Sequence, residues 1–526
     1  MPRSEVMEES TSQFIKNLSR ANRHNFKQIA KDVFNKIRDD IEMENAVLAK
    51  SSRYKVPQDL PNRVIATLML ELLHIVRIKM SPTGKPVLAI YIEDGDNKGV
   101  YDTENAAFFD IIKQFNADAT ESDVKAVMYE LDNRAPVVEP CEDKDLIPMH
   151  NGIFNYDTKT LIDFDPKYVF TAKFAVDFNP NATNPVIHNN DDGTDWDIDS
   201  WISDLSDDPE IVGVLWQVIG AIMRPLVRWD KAVFFYNTVG NNGKGTLCEL
   251  LKTLVGNYAT MSLKTFNQEF GLQQLIGNLA VICDENDVRS LNENLSNFKS
   301  AVTGDTLLIN IKNKNPIQWR FTGLIVQCFN DIPSTVDKTD SLYRRQLFVP
   351  FDKCFTGRER KYIKSDYMHR KEVLEYVAYK VLVTMPSYYR FDEPDACLAL
   401  LEQVKESNSP VRQFYDDVMP DLTWDLLPRN FVYDLYKSWF TRTNPSGRIL
   451  GRNSFLSEFT AIVAEREEWI DMGPNKIRPD NKMDNPELLI SQYDLKEWMN
   501  PMYRGTDLMQ ICKPALKDSY RGFVRK

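Results

Sequence analysis

The segment VFFYNTVGNNGKGTLCELLKTLVG, residues 233–256, constrains the fold more than any other. It opens on a β-branched and aromatic run, closes on leucines at helical spacing, and holds Gly240, Gly243 and Lys244 between them. A glycine-containing turn between a strand and a helix N-terminus is the setting that phosphate binding requires. Loop amides and the helix dipole face the anion, and the lysine adds a point charge. This predicts an α/β core in which Gly240, Asn241, Asn242, Gly243, Lys244, Gly245 and Thr246 bind a nucleotide. The segment departs from the usual pattern twice. Thr238 lies six residues before Lys244, where the first glycine normally falls, and Gly245 lacks the hydroxyl that helps hold magnesium, leaving Thr246 as the nearest substitute. The competing reading is an ordinary turn with a surface lysine.

The strands downstream of the loop weigh against that competitor. NLAVICDEND is an apolar strand ending in Asp284 and Glu285, which can serve a metal ion and an attacking water. GLIVQCFND ends in Asn330, a polar residue suited to positioning water, and LFVPF is preceded by Arg344 and Arg345. Each feature alone is weak, but their order within about a hundred residues of one α/β stretch is informative. Between the acids and Asn330, TLLINIKNKNPIQWRF reads as two strands joined by a polar turn. Lys312 and Lys314 at its tip can contact successive phosphates without reading bases.

Composition sets the outer limits. The chain has 526 residues, 43% hydrophobic and 27% charged, enough apolar material for several cores and too much for a disordered chain. At roughly 150 residues per domain, three or four domains are expected. A net charge of −12 argues against a protein coated in nucleic acid, yet leaves room for a local basic channel. The seven cysteines are scattered without a C-x-x-C pair, which favours reduced thiols over disulfides or zinc. The first residues lack the apolar core of a signal peptide, and IVGVLWQVIGAIM is too short to span a bilayer. A cytoplasmic protein is expected.

Four regions separate by texture: 1–130, a mostly helical accessory domain; 131–205, a turn-rich accessory region and linker; 206–395, the α/β ATPase; and 396–526, a helical or winged-helix module. In the first, Ile29, Val33 and Ile37 recur at helical spacing, VIATLMLELLHIV reads as a second helix, and PVLAIYIEDGD reads as a strand and turn. In the second, NNDDGTDWDIDSW reads as a solvated linker. In the last, Arg442, Arg448 and Arg452 surround a turn, and the final 26 residues carry six basic side chains against two acidic, which suits duplex or origin DNA.

Residues 206–355, with GNNGKGT, DEN, CFNDIP and RRQLFVPF, resemble the AAA+-like ATPase of superfamily 3 helicases. The version is that of phage, plasmid and mobile-island replication proteins and of the poxvirus primase-helicase. Residues from about 146 onward resemble the region adjoining that ATPase. The family commonly has Gly-Thr after the lysine, as at Gly245 and Thr246.

The resemblance implies a ring, usually a hexamer, that hydrolyses ATP with Mg2+ at subunit interfaces and tracks along single-stranded DNA from 3′ to 5′. It assigns Lys244 and Thr246 to phosphates and magnesium, Asp284 and Glu285 to metal and water, and Asn330 to sensing the γ-phosphate. Arg345 lies nearest the position of the family's arginine finger, with Arg344 as the alternative. Lys312 and Lys314 would face the DNA channel. The function implied is that of a replicative helicase of a phage or mobile element in a bacterial host cytoplasm, also suited to initiation at origin DNA. Single-stranded and forked duplex DNA, and a primase or a single-strand-binding protein, are its expected partners. The alternative is an ATPase that remodels or packages DNA without unwinding. No catalytic acids of a primase are visible.

Overall fold

The computed structural model describes residues 3–18, 25–286, 295–312, 315–333, 340–445 and 448–526. They form two compact units, 1–400 and 401–526, and the division falls inside the helix Asp395–Asn408.

The N-terminal part of the first unit pairs helices with a sheet. Helix Phe26–Val47 buries Ile29, Val33, Ile37 and Ile41, one every fourth residue, as an amphipathic helix must. VIATLMLELLHIV divides rather than forming one helix. Helix Asn62–Leu72 stops before His74, and Ile75–Ile78 is a strand between the antiparallel Val87–Tyr91 and the parallel Val137–Val138. The β-branched Ile75, Val76 and Ile78 suit a pleated surface with a partner on either side, and the tertiary pairing overrides the helical pattern before them.

Residues 146–205 are not a separate layer. In the meander Leu146–Met149, Gly152–Asn155 and Thr160–Ile162, the side chains of Ile147, Met149 and Phe154 pack into the same apolar core as strands Ala232–Tyr236 and Leu324–Phe329. The stretch expected to be a linker is an antiparallel hairpin, Ile187–Asn189 with Thr194–Trp196, followed by helix Ile198–Ser203. Gly193 turns it with φ +66°, Asp197 caps the helix through Ser200 N, and Trp196, Ile198 and Ile202 are buried. The acidic residues cover the outer side of a structured element whose apolar anchors are few.

The central sheet has five parallel strands, in spatial order Tyr258–Ala259, Ala280–Cys283, Leu324–Phe329, Ala232–Tyr236, Gln346–Pro350. These are buried throughout except at the ends, as parallel strands covered on both faces must be. Helix Pro209–Ile222, almost wholly buried, and helix Lys244–Val255 pack in its core. Among the described residues no helix is long and apolar enough to cross a membrane.

The second unit has its own core. Helices Pro410–Val418, Arg429–Thr443 and Arg452–Arg466 pack with an antiparallel sheet in the order Leu426–Pro428, Gly522–Arg525, Trp469–Asp471. The last strand of the chain thus lies in the middle of this sheet and closes the unit.

Candidate functional site

The chain leaves strand Ala232–Tyr236 and crosses to the far side of the sheet, whereas from Leu324–Phe329 it crosses the other way to Gln346–Pro350. These two strands are neighbours, so a crevice opens between their carboxyl ends, where open parallel sheets bind ligands. The loop 237–243 and the helix Lys244–Val255 begin there.

Within the loop, left-handed backbone falls on Asn241 (φ +58°) and Gly243 (φ +87°). At Gly243 the conformation calls for glycine, and an added Cβ would lie 2.4 Å from Leu205 Cδ2, so that side chain would have to shift. Thr238 is outside the left-handed region, so its backbone does not call for glycine. Gly240 also lacks positive φ, and a Cβ there would meet nothing within 4 Å. The loop is braced by its asparagines. Asn242 donates to Val239 O (2.6 Å) and accepts from Lys244 N (3.2 Å); Asn241 donates to Glu359 Oε1 (3.0 Å) and accepts from Phe355 N (2.7 Å).

Lys244 is buried. Its ammonium donates to Phe329 O (2.7 Å), Asn330 Oδ1 (2.9 Å) and Asn237 O (3.3 Å), joining the loop to the end of the neighbouring strand. Burial without a carboxylate partner lowers its pKa. Directly behind it, Cys248 Sγ and Cys328 Sγ are 3.3 Å apart. Hydrogen bonding between them and burial push the Cys248 thiol well up, so it packs as a neutral group.

Asp284 and Glu285 end the strand Ala280–Cys283 and face the same cleft of about 550 Å³, together with Lys244, Asn330, Lys252 and Lys364. Asp284 Oδ2 accepts from Lys252 Nζ at 2.7 Å, while Oδ1 is buried without a partner among the described residues. Burial opposes the charge of Lys252, but the hydrogen bond and attraction to Asp284 outweigh it and raise its pKa. Glu285 is exposed at the cleft wall. Asn286 holds this strand end in place, donating to Cys328 O (3.2 Å) and accepting from Leu263 N (3.2 Å). Thr246 lines a neighbouring groove with Trp201, Phe355 and Lys364 rather than the cleft of the acids.

Arg345 is half-buried and donates to Ser341 O (2.6 Å) and Ser341 Oγ (2.9 Å) on its own helical turn. Arg344 is exposed, with no side-chain partner among the described residues. Strands Thr306–Ile309 and Ile317–Arg320 form an antiparallel hairpin, in register from Thr306↔Arg320 to Ile309↔Ile317, with Lys312 exposed at its tip. Lys314 lies outside the described residues.

Sequence reasoning missed Lys252 and Lys364. Lys252 had a signal: it lies eight residues after Lys244, two turns along the same helix face. Lys364 comes from the short helix Lys361–Ser365, after the last strand of the sheet, and no local pattern ties it to the loop.

Three family models match the chain. D5 N terminal like covers residues 16–205, a family of unknown function (DUF5906) covers 235–345, and Poxvirus D5 protein-like covers 406–500. No curated protein matches. Among solved structures, an A-form apo structure of the NrS-1 C-terminal region is similar at 13% identity with a TM-score of 0.44, covering 89% of this chain and 100% of that one. A second apo structure of that region is similar at 13% identity with a TM-score of 0.42, covering 77% and 87%. The two D5-type models thus match on either side of the loop-bearing segment, each over less than half of the chain.

Proposed function

We propose that this replication-related protein of phage or viral type is an ATP-dependent DNA helicase, working as a ring, usually hexameric in the family it resembles, that moves 3′ to 5′ on single-stranded DNA. One observation carries the reading. The Lys244 ammonium is fixed between Phe329 O and Asn330 Oδ1 in the crevice that also holds Asp284 and Glu285. A lysine at the N-terminus of a helix, beside two acids and an amide, is the equipment of phosphoryl transfer, where positioning and charge stabilisation do most of the catalysis.

The unpartnered Oδ1 of Asp284 fits a divalent cation, and Asp284 would hold it. Bound magnesium would neutralise phosphate charge there. Lys244 and the loop amides hold the phosphates, Glu285 accepts the proton of the attacking water, and Asn330 orients that water. Lys252, now on Asp284, keeps that carboxylate aimed into the cleft. Arg344 or Arg345 completes a neighbouring subunit's site. The exposed Lys312 at the hairpin tip, with Lys314, engages the DNA backbone.

The hairpin supports a motor on DNA over an ATPase that only remodels or packages, because its tip cation belongs to the strand insertion joining the acid and asparagine strands. The test is ATP hydrolysis with and without single-stranded DNA. Stimulation that disappears in Lys312→Ala/Lys314→Ala, with DNA-free hydrolysis retained, is the expected result. Hydrolysis indifferent to DNA would contradict it.

A further inference from the structure

The missing hydroxyl at Gly245 has a counterpart elsewhere in the chain. A Cβ built on Gly245 would lie 3.5 Å from Lys364 Nζ, and no other heavy atom beyond its chain neighbours and its own helix backbone lies within 4 Å of it. Lys364 lines both the cleft of Asp284 and Glu285 and the adjoining groove that contains Thr246, so its ammonium stands where the two meet at the phosphate loop. Two residues beside it anchor its helix. Ile363 is buried, and Tyr362 Oη donates to Asp192 Oδ2 at 2.6 Å. The segment leading to it is tied to the loop itself, through Phe355 N to Asn241 O and Asn241 Nδ2 to Glu359.

Two other lysines lining these spaces are paired with carboxylates, Lys252 with Asp284 and Lys353 with Asp207, whereas Lys361 on the same short helix has no ion pair among the described residues. Lys364 has no hydrogen bond or ion pair among the described residues. Lys364 is exposed, and its ammonium, beside the open flank of a helix N-terminus and a residue without a side chain, is left to water and free to take an anion there.

We propose that Lys364 is a phosphate-binding residue of the nucleotide site, donating to the polyphosphate of a nucleoside triphosphate from the side that Gly245 leaves open. The inference rests on the reading of the loop as a nucleotide site and adds to it a second cation delivered from beyond the last strand. It also ties the segment 352–366 to the occupant of the loop.

The experiment measures equilibrium binding of ATP to the full chain, with magnesium present throughout. Lys364→Met, Lys364→Arg and Lys244→Met are compared with the unaltered protein, and thermal melts verify that each variant is folded. Loss of one charge-assisted hydrogen bond predicts that Lys364→Met binds ATP at least about ten-fold more weakly. Lys364→Arg, which keeps the charge, should recover most of that loss. If Lys364→Met binds like the unaltered protein while Lys244→Met is weakened, Lys364 is not a phosphate ligand and the loop assignment stands. If Lys364→Met and Lys364→Arg lose equally, the lysine acts through packing and the proposal fails. If neither Lys364→Met nor Lys244→Met weakens binding, the nucleotide reading falls and the inference with it.

Discussion

Replacing Lys244 by methionine separates the role of the ammonium in binding from its role in folding. The change keeps the aliphatic stem and removes the donor to Phe329 O, Asn330 Oδ1 and Asn237 O. Phe329 O still accepts from Asn237 N and Asn330 is exposed to water, so among the three acceptors Asn237 O alone loses its donor without a replacement among the described residues. Each bond removed has a charged donor and is worth about 1.5–3 kcal/mol. Against that, the protein no longer buries an ammonium that has no carboxylate partner, a cost visible in its lowered pKa. The two effects oppose, so folding stability should fall by less than the sum of the bonds, on the order of 1–3 kcal/mol, a shift of a few degrees in Tm.

Binding has no such compensation. A charge-assisted bond is worth about 1.5–3 kcal/mol, so ATP affinity should fall roughly 10- to 150-fold and hydrolysis should disappear. Calorimetric binding and a thermal melt on the same sample check both. The pH dependence gives a further sign. Because the folded pKa is below the ordinary lysine value, the unfolded chain binds more protons between the two, and stability from this group rises with pH across that window. Lys244→Met should lack that rise. Unchanged ATP affinity, or a collapse of Tm with affinity retained, would refute the reasoning.

Four other outcomes are expected. Glu285→Gln should bind ATP but turn it over about 10²- to 10⁴-fold more slowly, measured as phosphate release, since only proton acceptance is removed. Gly243→Ala should destabilise the first unit by about 1–3 kcal/mol in denaturant titration, because φ +87° and the 2.4 Å approach to Leu205 both oppose a side chain. Lys312→Ala/Lys314→Ala should reduce the log–log salt slope of single-strand binding by about 0.7 for each phosphate no longer neutralised, with unwinding abolished. Arg345→Ala and Arg344→Ala are each mixed with Lys244→Ala subunits under exchange conditions. The finger is the one whose mixture regains ATPase activity that neither partner shows alone, as sites shared between subunits require.

Much of the site is legible in the sequence because its parts are local. The strand, glycine turn and helix of 233–256 are contiguous, and Asp284, Glu285 and Asn330 each follow a strand of near-continuous apolar residues. Thr238 departs from the spacing pattern, but the loop places its left-handed residues at 241 and 243, which backbone angles reveal and spacing does not. Composition misleads at 189–201, where a run of Asp and Asn conceals a hairpin anchored by Trp196 and Ile187. Periodicity misleads at His74, where the next strand pairs with two others distant in sequence and ends a helical pattern early. Lys364 is illegible for the same kind of reason: it reaches Gly245 from beyond the last strand of the sheet, and only tertiary structure brings the two together.

The central claim, that ATP turnover at this loop drives strand separation, is tested most directly by unwinding of forked DNA carrying a single 3′ or 5′ tail. With ATP, the account predicts displacement of the duplex from the 3′-tailed substrate and none with Lys244→Met. Vigorous ATP hydrolysis on both substrates with no strand displaced from either would contradict it.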